Sequence, residues 1–160
     1  MARGPKKLEF RPFRETDSAL LGAWLTACGL GVPPGVDDHT WTRRLIKDPN
    51  IMCWAATQSG RTVGFVRLDM GPDRSAELTL IVHPERRRSG LGMALLDQAL
   101  RRARAHGLSR LLAVVETDNE AAESFFLQAG FEAASAGNGF VRLSRLVHRA
   151  DKQPPLEISP

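Results

Sequence analysis

The chain of 160 residues contains no tyrosine, which excludes chemistry that rests on a phenolic acid or base. Cysteine occurs only as Cys28 and Cys53, 25 positions apart and outside any CxxC pair, with four histidines in the whole chain. Neither a metal site nor a disulfide framework is indicated, and a reducing compartment, the cytoplasm, is expected. Lysine occurs four times among 22 basic residues, so the other 18 are arginine. Long apolar runs are missing as well. The uncharged stretch Ala19–Val36 is broken by Gly29, Gly31, Pro33 and Pro34, and the opening MARGPKKLEF has no apolar core for a signal peptide, so no membrane partner is expected.

What is present suits one domain: 42% hydrophobic residues are enough to close a substantial core at this length. Residues 1–7 read as a flexible N-terminus, 8–147 as a single domain, and 148–160, with Pro154, Pro155 and Pro160, as a flexible tail. A formal net charge of +4 suits a phosphorylated ligand. Without a base-reading motif it predicts no specific nucleic-acid partner.

The chain is organised around Ala76–Leu96, AELTLIVHPERRRSGLGMALL. Ala76–Val82 is a short apolar strand that Pro84 stops, because proline offers no backbone donor. Apolar residues then recur at helical spacing through Met93, Leu96, Leu100 and Ala103, while Asp97, Gln98, Arg101, Arg102 and Arg104 fill the other face. A helix start carries unpaired N–H groups and partial positive charge, so it accepts an anion. Gly90 and Gly92 let an oxygen approach the backbone, and Arg86, Arg87 and Arg88 add charge suited to phosphate. There is no GxxxxGK[ST] phosphate loop and no GxGxxG fingerprint.

Arg87-x-x-Gly90-x-Gly92 behind a strand ending Val82-x-Pro84 resembles the acetyl-CoA signature of the GNAT superfamily of N-acetyltransferases, Q/R-x-x-G-x-G/A. Downstream, Asn119, Ala122, Phe126, Gly130 and Phe131 are similar to that superfamily's N-x-x-A-x-x-x-Y-x-x-x-G-F ending, with Phe126 where the tyrosine stands.

The remaining elements read in order as follows. Leu8–Pro12 is a strand, and Thr16 or Asp17 caps a helix to about Ala27. A second helix covers about His39–Lys47. Ile51–Thr57 and Thr62–Asp69 form a hairpin around Ser59-Gly60, and Ala76–Val82 completes a meander. The long helix runs from Gly90 to His106. Leu111–Glu116 (LLAVVE) is a continuous apolar strand that suits burial beside the strand before the helix, as a parallel pair. Asn119 caps a helix over Glu120–Gln128, and Phe131–Ala134 and Gly139–Leu146 are closing strands. The fold class is α/β in the α+β sense, a mixed, mostly antiparallel central sheet with helices on both faces.

That order is also the GNAT order. The resemblance implies that the strands flanking the long helix splay apart and that the pantetheine arm of acetyl-CoA lies in the gap. It would meet the main chain at Ile81, Val82 and His83. The pyrophosphate would sit on Arg87, Arg88, Ser89, Gly90, Leu91 and Gly92, with Asn119 and Phe126 also toward the cofactor.

Acetyl transfer to an amine needs a proton acceptor. Glu77, five residues before Val82, is the first candidate; His83, Glu116 and Asp69 are weaker ones. The family's usual acid is the tyrosine replaced by Phe126, and Ser124 points to another helix face. The expected activity is acetyl-CoA-dependent transfer to a primary amine by direct attack, without a metal. The alternatives are an acyl-CoA-binding regulator, for which Phe126 speaks, and transfer to a protein N-terminus or lysine. His39, Trp41 and Trp54 are candidates for an acceptor pocket wall. The HxW and AELTLIV segments resemble the branch that acts on nucleotide-linked amino sugars, so the acceptor is read as a small amine, with an amino sugar as one candidate. A homodimer is compatible with this reading.

Overall fold

The computed structural model describes residues 7–28, 46–86 and 90–148. These form β1 (Leu8–Pro12), a 3-10 turn (Glu15–Asp17), α1 (Ser18–Cys28), β2 (Ile51–Gln58), β3 (Arg61–Met70), β4 (Ser75–Val82) and a second 3-10 turn (Pro84–Arg86). α2 (Leu91–Ala105), β5 (Arg110–Glu116), α3 (Glu120–Gln128), β6 (Glu132–Gly137) and β7 (Phe140–Leu146) follow. The helix expected over 39–47 lies outside the described residues apart from Ile46 and Lys47, which are helical. The terminal stretches read as flexible lie outside them too, except Lys7 and His148.

The strands make one sheet of seven in the order β1-β2-β3-β4-β5-β7-β6. The pairs β1–β2, β2–β3, β5–β7 and β6–β7 are antiparallel. β4 and β5 are parallel, as a strand, helix, strand unit dictates, with Ser75, Ala76 and Glu77 opposite Arg110, Leu111 and Leu112. The mixed α/β architecture expected from the element order is the one observed.

The described residues divide into two compact units, Leu78–Ala99 joining the chain up to and including Met70, and Gly71–Glu77 joining the chain from Leu100 onward. In the first, the core gathers Phe13, Leu21, Trp24, Ala55, Phe65 and Ile81. The Phe65 ring meets Phe13 edge-on at 5.6 Å and Trp24 at 5.1 Å, so this side of β3 faces α1. The other side faces α2. A Cβ added at Gly64 would lie 2.9 Å from the Ile81 carbonyl oxygen and 2.9 Å from Leu95 Cδ1, so glycine sets how closely β3 packs there. With helices on both faces, β2 and β3 bury consecutive residues, Trp54–Ala56 and Val63–Val66.

Helix α1 is entered differently from the expectation of a Thr16 or Asp17 cap. Asp17 is the last residue of the 3-10 turn, and its carboxylate accepts the Arg14 main-chain N–H at 2.8 Å. The same carboxylate takes both Arg11 guanidinium nitrogens, at 2.8 and 2.9 Å. The aspartate therefore ties the end of β1 to the helix entry instead of capping from outside it.

In the second unit the strands alternate. Leu111, Ala113 and Val115 of β5 and Val141, Leu143 and Arg145 of β7 are buried, while Val114, Phe140, Arg142 and Leu146 are exposed. Helix α3 packs on β5 and β6, and Phe126 meets Phe131 at 5.0 Å. The continuous apolar string LLAVVE predicts burial on both faces of β5; the structure corrects this, since Val114 is 36% exposed. β6 also runs on to Gly137 instead of stopping at Ala134, because Asn138-Gly139 is the two-residue turn that joins it to β7. A bulge between Ala133 and Ser135 interrupts the β6–β7 register.

Candidate functional site

The residues expected to hold a cofactor fall mostly in the first unit. Arg87, Arg88 and Ser89 lie outside the described residues. Gly90 is exposed with φ +84°, and among the described residues a Cβ there would meet nothing within 4 Å. The helical ladder begins with Ala94 N–H donating to Gly90 O at 3.2 Å. The N–H groups of Leu91, Gly92 and Met93 therefore have no partner within the helix. Leu91 is buried and anchors the first turn, leaving its backbone, not its side chain, to face a ligand.

Ile81 is buried and Val82 half-buried at the end of β4. His83 is committed elsewhere. Its N–H donates to Val63 O at 2.9 Å and its carbonyl accepts from Arg86 N–H at 2.8 Å. Its Nδ1 accepts from Glu85 N–H at 3.0 Å, and the ring lies edge-on to Trp24 at 4.9 Å. The neutral ring must then carry its proton on Nε2. Arg86 reaches Gln58 Oε1 at 3.5 Å, which fastens the basic turn to β2.

In the second unit Glu77 lines an open cleft of about 520 Å³ with Val114, Ser135, Ala136, Gly137, Asn138, Phe140 and Arg142. The pleat explains the grouping. Glu77 is opposite Leu112, Val114 opposite Arg142, and Arg142 opposite Ser135, so one exposed face of four strands supplies the floor. The Asn138 turn supplies an end wall. Glu77 is the only carboxylate in this lining, and Arg142 the only cation.

Asn119 caps α3, its Oδ1 accepting Ala122 N–H at 3.1 Å, which leaves the amide Nδ2 hydrogens for another partner. Phe126 is 9% exposed and packs against Phe125 at 5.2 Å as well as Phe131. The position that aligns with the family tyrosine is thus filled by a core aromatic ring. Ser124 is exposed, within 3.5 Å of Gln128. Asp69 is gripped by Arg67 at 2.6 and 2.7 Å, and Trp54 is a core residue, which removes both from the candidate site. Glu116 is half-buried at the end of β5 and does not line the cleft. His39 and Trp41 lie outside the described residues. Sequence reasoning missed Val114, Phe140 and Arg142, whose signal is apolar and basic residues on one exposed face of neighbouring strands.

Three ionisable groups of the described residues are shifted, and the first, the Arg11 guanidinium, is raised by its hydrogen bond to Asp17. Burial alone would raise the Asp17 carboxyl, but the Arg11 and Arg14 hydrogen bonds outweigh it and hold its pKa below the usual carboxylate range. Burial pushes the Cys53 thiol up to about 12, against a smaller opposing pull from Arg67. Among the described residues no group of three His, Cys, Asp or Glu side chains could hold a metal ion. No helix of the described residues is long and apolar enough to cross a membrane.

The sequence of the acetyltransferase (GNAT) family matches residues 20–131. An acetyltransferase of Photorhabdus laumondii is 31% identical over 117 residues, covering 71% of this chain and 79% of that protein. A mycothiol acetyltransferase of Clavibacter michiganensis is 34% identical over 88 residues, 55% of this chain but 29% of its own length. Among solved structures, a Vibrio cholerae spermidine N-acetyltransferase chimera superimposes with a TM-score of 0.76 at 18% identity, covering 88% of this chain and 95% of that one. The PaiA N-acetyltransferase of Thermoplasma acidophilum, in complex with coenzyme A, gives 0.72 at 19% identity, covering 88% and 99%.

Proposed function

The chain belongs to the acetyltransferase (GNAT) family and is an acetyl-CoA-dependent N-acetyltransferase, and we propose that its acceptor is a small-molecule primary amine whose proton is taken by Glu77. The observation that carries this reading is Glu77 itself, the sole carboxylate in a cleft whose volume of about 520 Å³ suits a small molecule. An ammonium ion has no lone pair, so an acceptor must lose a proton before it attacks. An exposed carboxylate can take that proton directly or through one water.

The free amine then attacks the thioester carbon of acetyl-CoA. A C–N bond forms, the C–S bond breaks, and coenzyme A leaves as a thiolate that water protonates, since the chain has no tyrosine to do so. On the cofactor side we assign the pantetheine arm to the main chain of Ile81 and Val82. The His83 N–H is committed to Val63 O, so a main-chain role for that residue falls to its carbonyl, which keeps a second lone pair beside the bond from Arg86. The pyrophosphate is assigned to the helix start at Gly90, Leu91 and Gly92 with Arg87, Arg88 and Ser89. Asn119 is assigned to the cofactor on the family pattern, and its Nδ2 hydrogens are not used by the cap.

Among small amines, the amino group of a nucleotide-linked sugar is the finer reading, supported by the AELTLIV strand, the His39-x-Trp41 segment and Phe126. The test is Glu77→Gln. Loss of a general base lowers kcat by about a hundredfold or more, whereas the rise in melting temperature on adding acetyl-CoA should match wild type. Wild-type turnover in this variant would remove Glu77 from the mechanism.

A further inference from the structure

The cleft places one negative and one positive side chain on the same face without letting them meet. Glu77 projects from β4 and Arg142 from β7, and β5 runs between them. By ordinary sheet spacings, two strands across and two residues along, their Cα atoms stand about 12 Å apart. Among the described residues neither side chain makes a hydrogen bond or an ion pair. Between them lies Val114, 36% exposed, with Phe140, 43% exposed, beside Arg142 on the same strand. On β6 the lining is Ser135, Ala136 and Gly137, all small residues.

We infer that the acceptor is an amine that also carries an anionic group, a carboxylate or a phosphate, several bonds away across an apolar spacer. This rests on the acceptor reading given above and adds the chemistry of the far end. The amine is drawn to Glu77, the spacer lies over Val114, and the anion is bound by Arg142, with Phe140 one pleat further along β7. A guanidinium offers paired donors in a plane that matches carboxylate and phosphate oxygens, so it selects for an anion and against a second cation. A polyamine would set one ammonium group against Arg142, a like-charge contact that works against binding. The family match ends at residue 131, before every β6 and β7 residue of this lining, so this end of the cleft belongs to the part of the chain the family pattern does not cover.

The experiment compares three amines of equal length, ε-aminocaproate, n-hexylamine and hexamethylenediamine, on the full chain. Each is measured as kcat/KM with acetyl-CoA, by thiol release, and as protection against thermal unfolding. Wild type should favour ε-aminocaproate over hexylamine by roughly ten- to a hundredfold, the usual contribution of a hydrogen bond to a charged group, with the diamine last. Arg142→Glu should reverse the order of the acid and the diamine. Arg142→Gln should bring all three together. Equal use or equal protection by the three amines in wild type would overturn the inference without any variant having to fold. So would an Arg142→Glu variant that loses all three alike. Protection by ε-aminocaproate alone, with no thiol release from any amine, would uphold the binding inference and defeat the proposed reaction.

Discussion

Replacing Gly64 by alanine tests the packing of the first unit and the cofactor assignment together. The added Cβ would lie 2.9 Å from the Ile81 carbonyl oxygen and 2.9 Å from Leu95 Cδ1, and 3.3 Å from Leu95 Cδ2. The leucine methyls can rotate away only into a site that is itself fully buried, and the carbonyl belongs to a paired strand. Overpacking of this kind costs about 1–3 kcal/mol. Alanine returns about 0.4–1 kcal/mol by restricting the unfolded chain. The net loss is about 1–2 kcal/mol, or roughly 2–8 °C in melting temperature for a chain of this length. If the β4 backbone yields, the Ile81 carbonyl moves, and the pantetheine assignment then requires that saturating acetyl-CoA raises the melting temperature less than it does in wild type. Thermal unfolding with and without acetyl-CoA reads both effects. A melting temperature at or above that of wild type would refute the packing argument. A lowered one with undiminished acetyl-CoA protection would take Ile81 out of the cofactor site.

Two further predictions concern the shifted groups. Asp17→Asn removes a charged acceptor of three hydrogen bonds and should cost about 1.5–3 kcal/mol at neutral pH. Because the folded pKa of Asp17 lies below its unfolded value, the stabilisation is present above about pH 4 and is lost as pH falls through the folded pKa, so the variant and wild type should converge in acid; a difference that persists there would show that the carboxylate charge is not its source. With its thiol pushed up to about 12 and its side chain only partly buried, Cys53 holds little thiolate at pH 8, so in a Cys28→Ser background a chromogenic disulfide should label the native protein much more slowly than the denatured one. Rapid labelling of the native Cys28→Ser protein would contradict the burial assigned to Cys53.

Much of the fold was legible because local rules agree with the global arrangement. Val82-x-Pro84 ends β4, and the 3.6 periodicity puts Leu96, Leu100 and Ala103 against the core, whereas Met93, read on the same face, is 51% exposed. A strand, helix, strand order leaves a parallel pair as the simple solution. The misreadings have physical causes. Asp17 follows the composition rule for a cap, yet the arginine that captures it, Arg11, comes from the preceding strand, and no window confined to the helix start contains both. The Asn138-Gly139 turn carries the strongest short-range hairpin signal there is, but the small residues EAASAG before it have little strand propensity of their own.

The residues proposed for the cofactor, in the first unit, and the cleft with Glu77, in the second, differ in legibility for a related reason. The cofactor side is local: an anion seeks unpaired N–H groups at one helix start, and the glycines that expose them stand beside it in sequence. The cleft with Glu77 is assembled by pairing, from residues 77, 114, 135–138, 140 and 142 on strands separated by a helix or a turn. In such a site no short string is diagnostic, and a run such as LLAVVE looks fully buried because valine at 114 is apolar whether or not a neighbour covers it. What separates the readings is exposure without obvious need: a valine, a phenylalanine and an arginine with no partner among the described residues share one open face. Exposed apolar residues scattered singly require no explanation. Two such residues in a lining that also holds one carboxylate and one arginine do, and a charged, partly apolar ligand accounts for all of them at once.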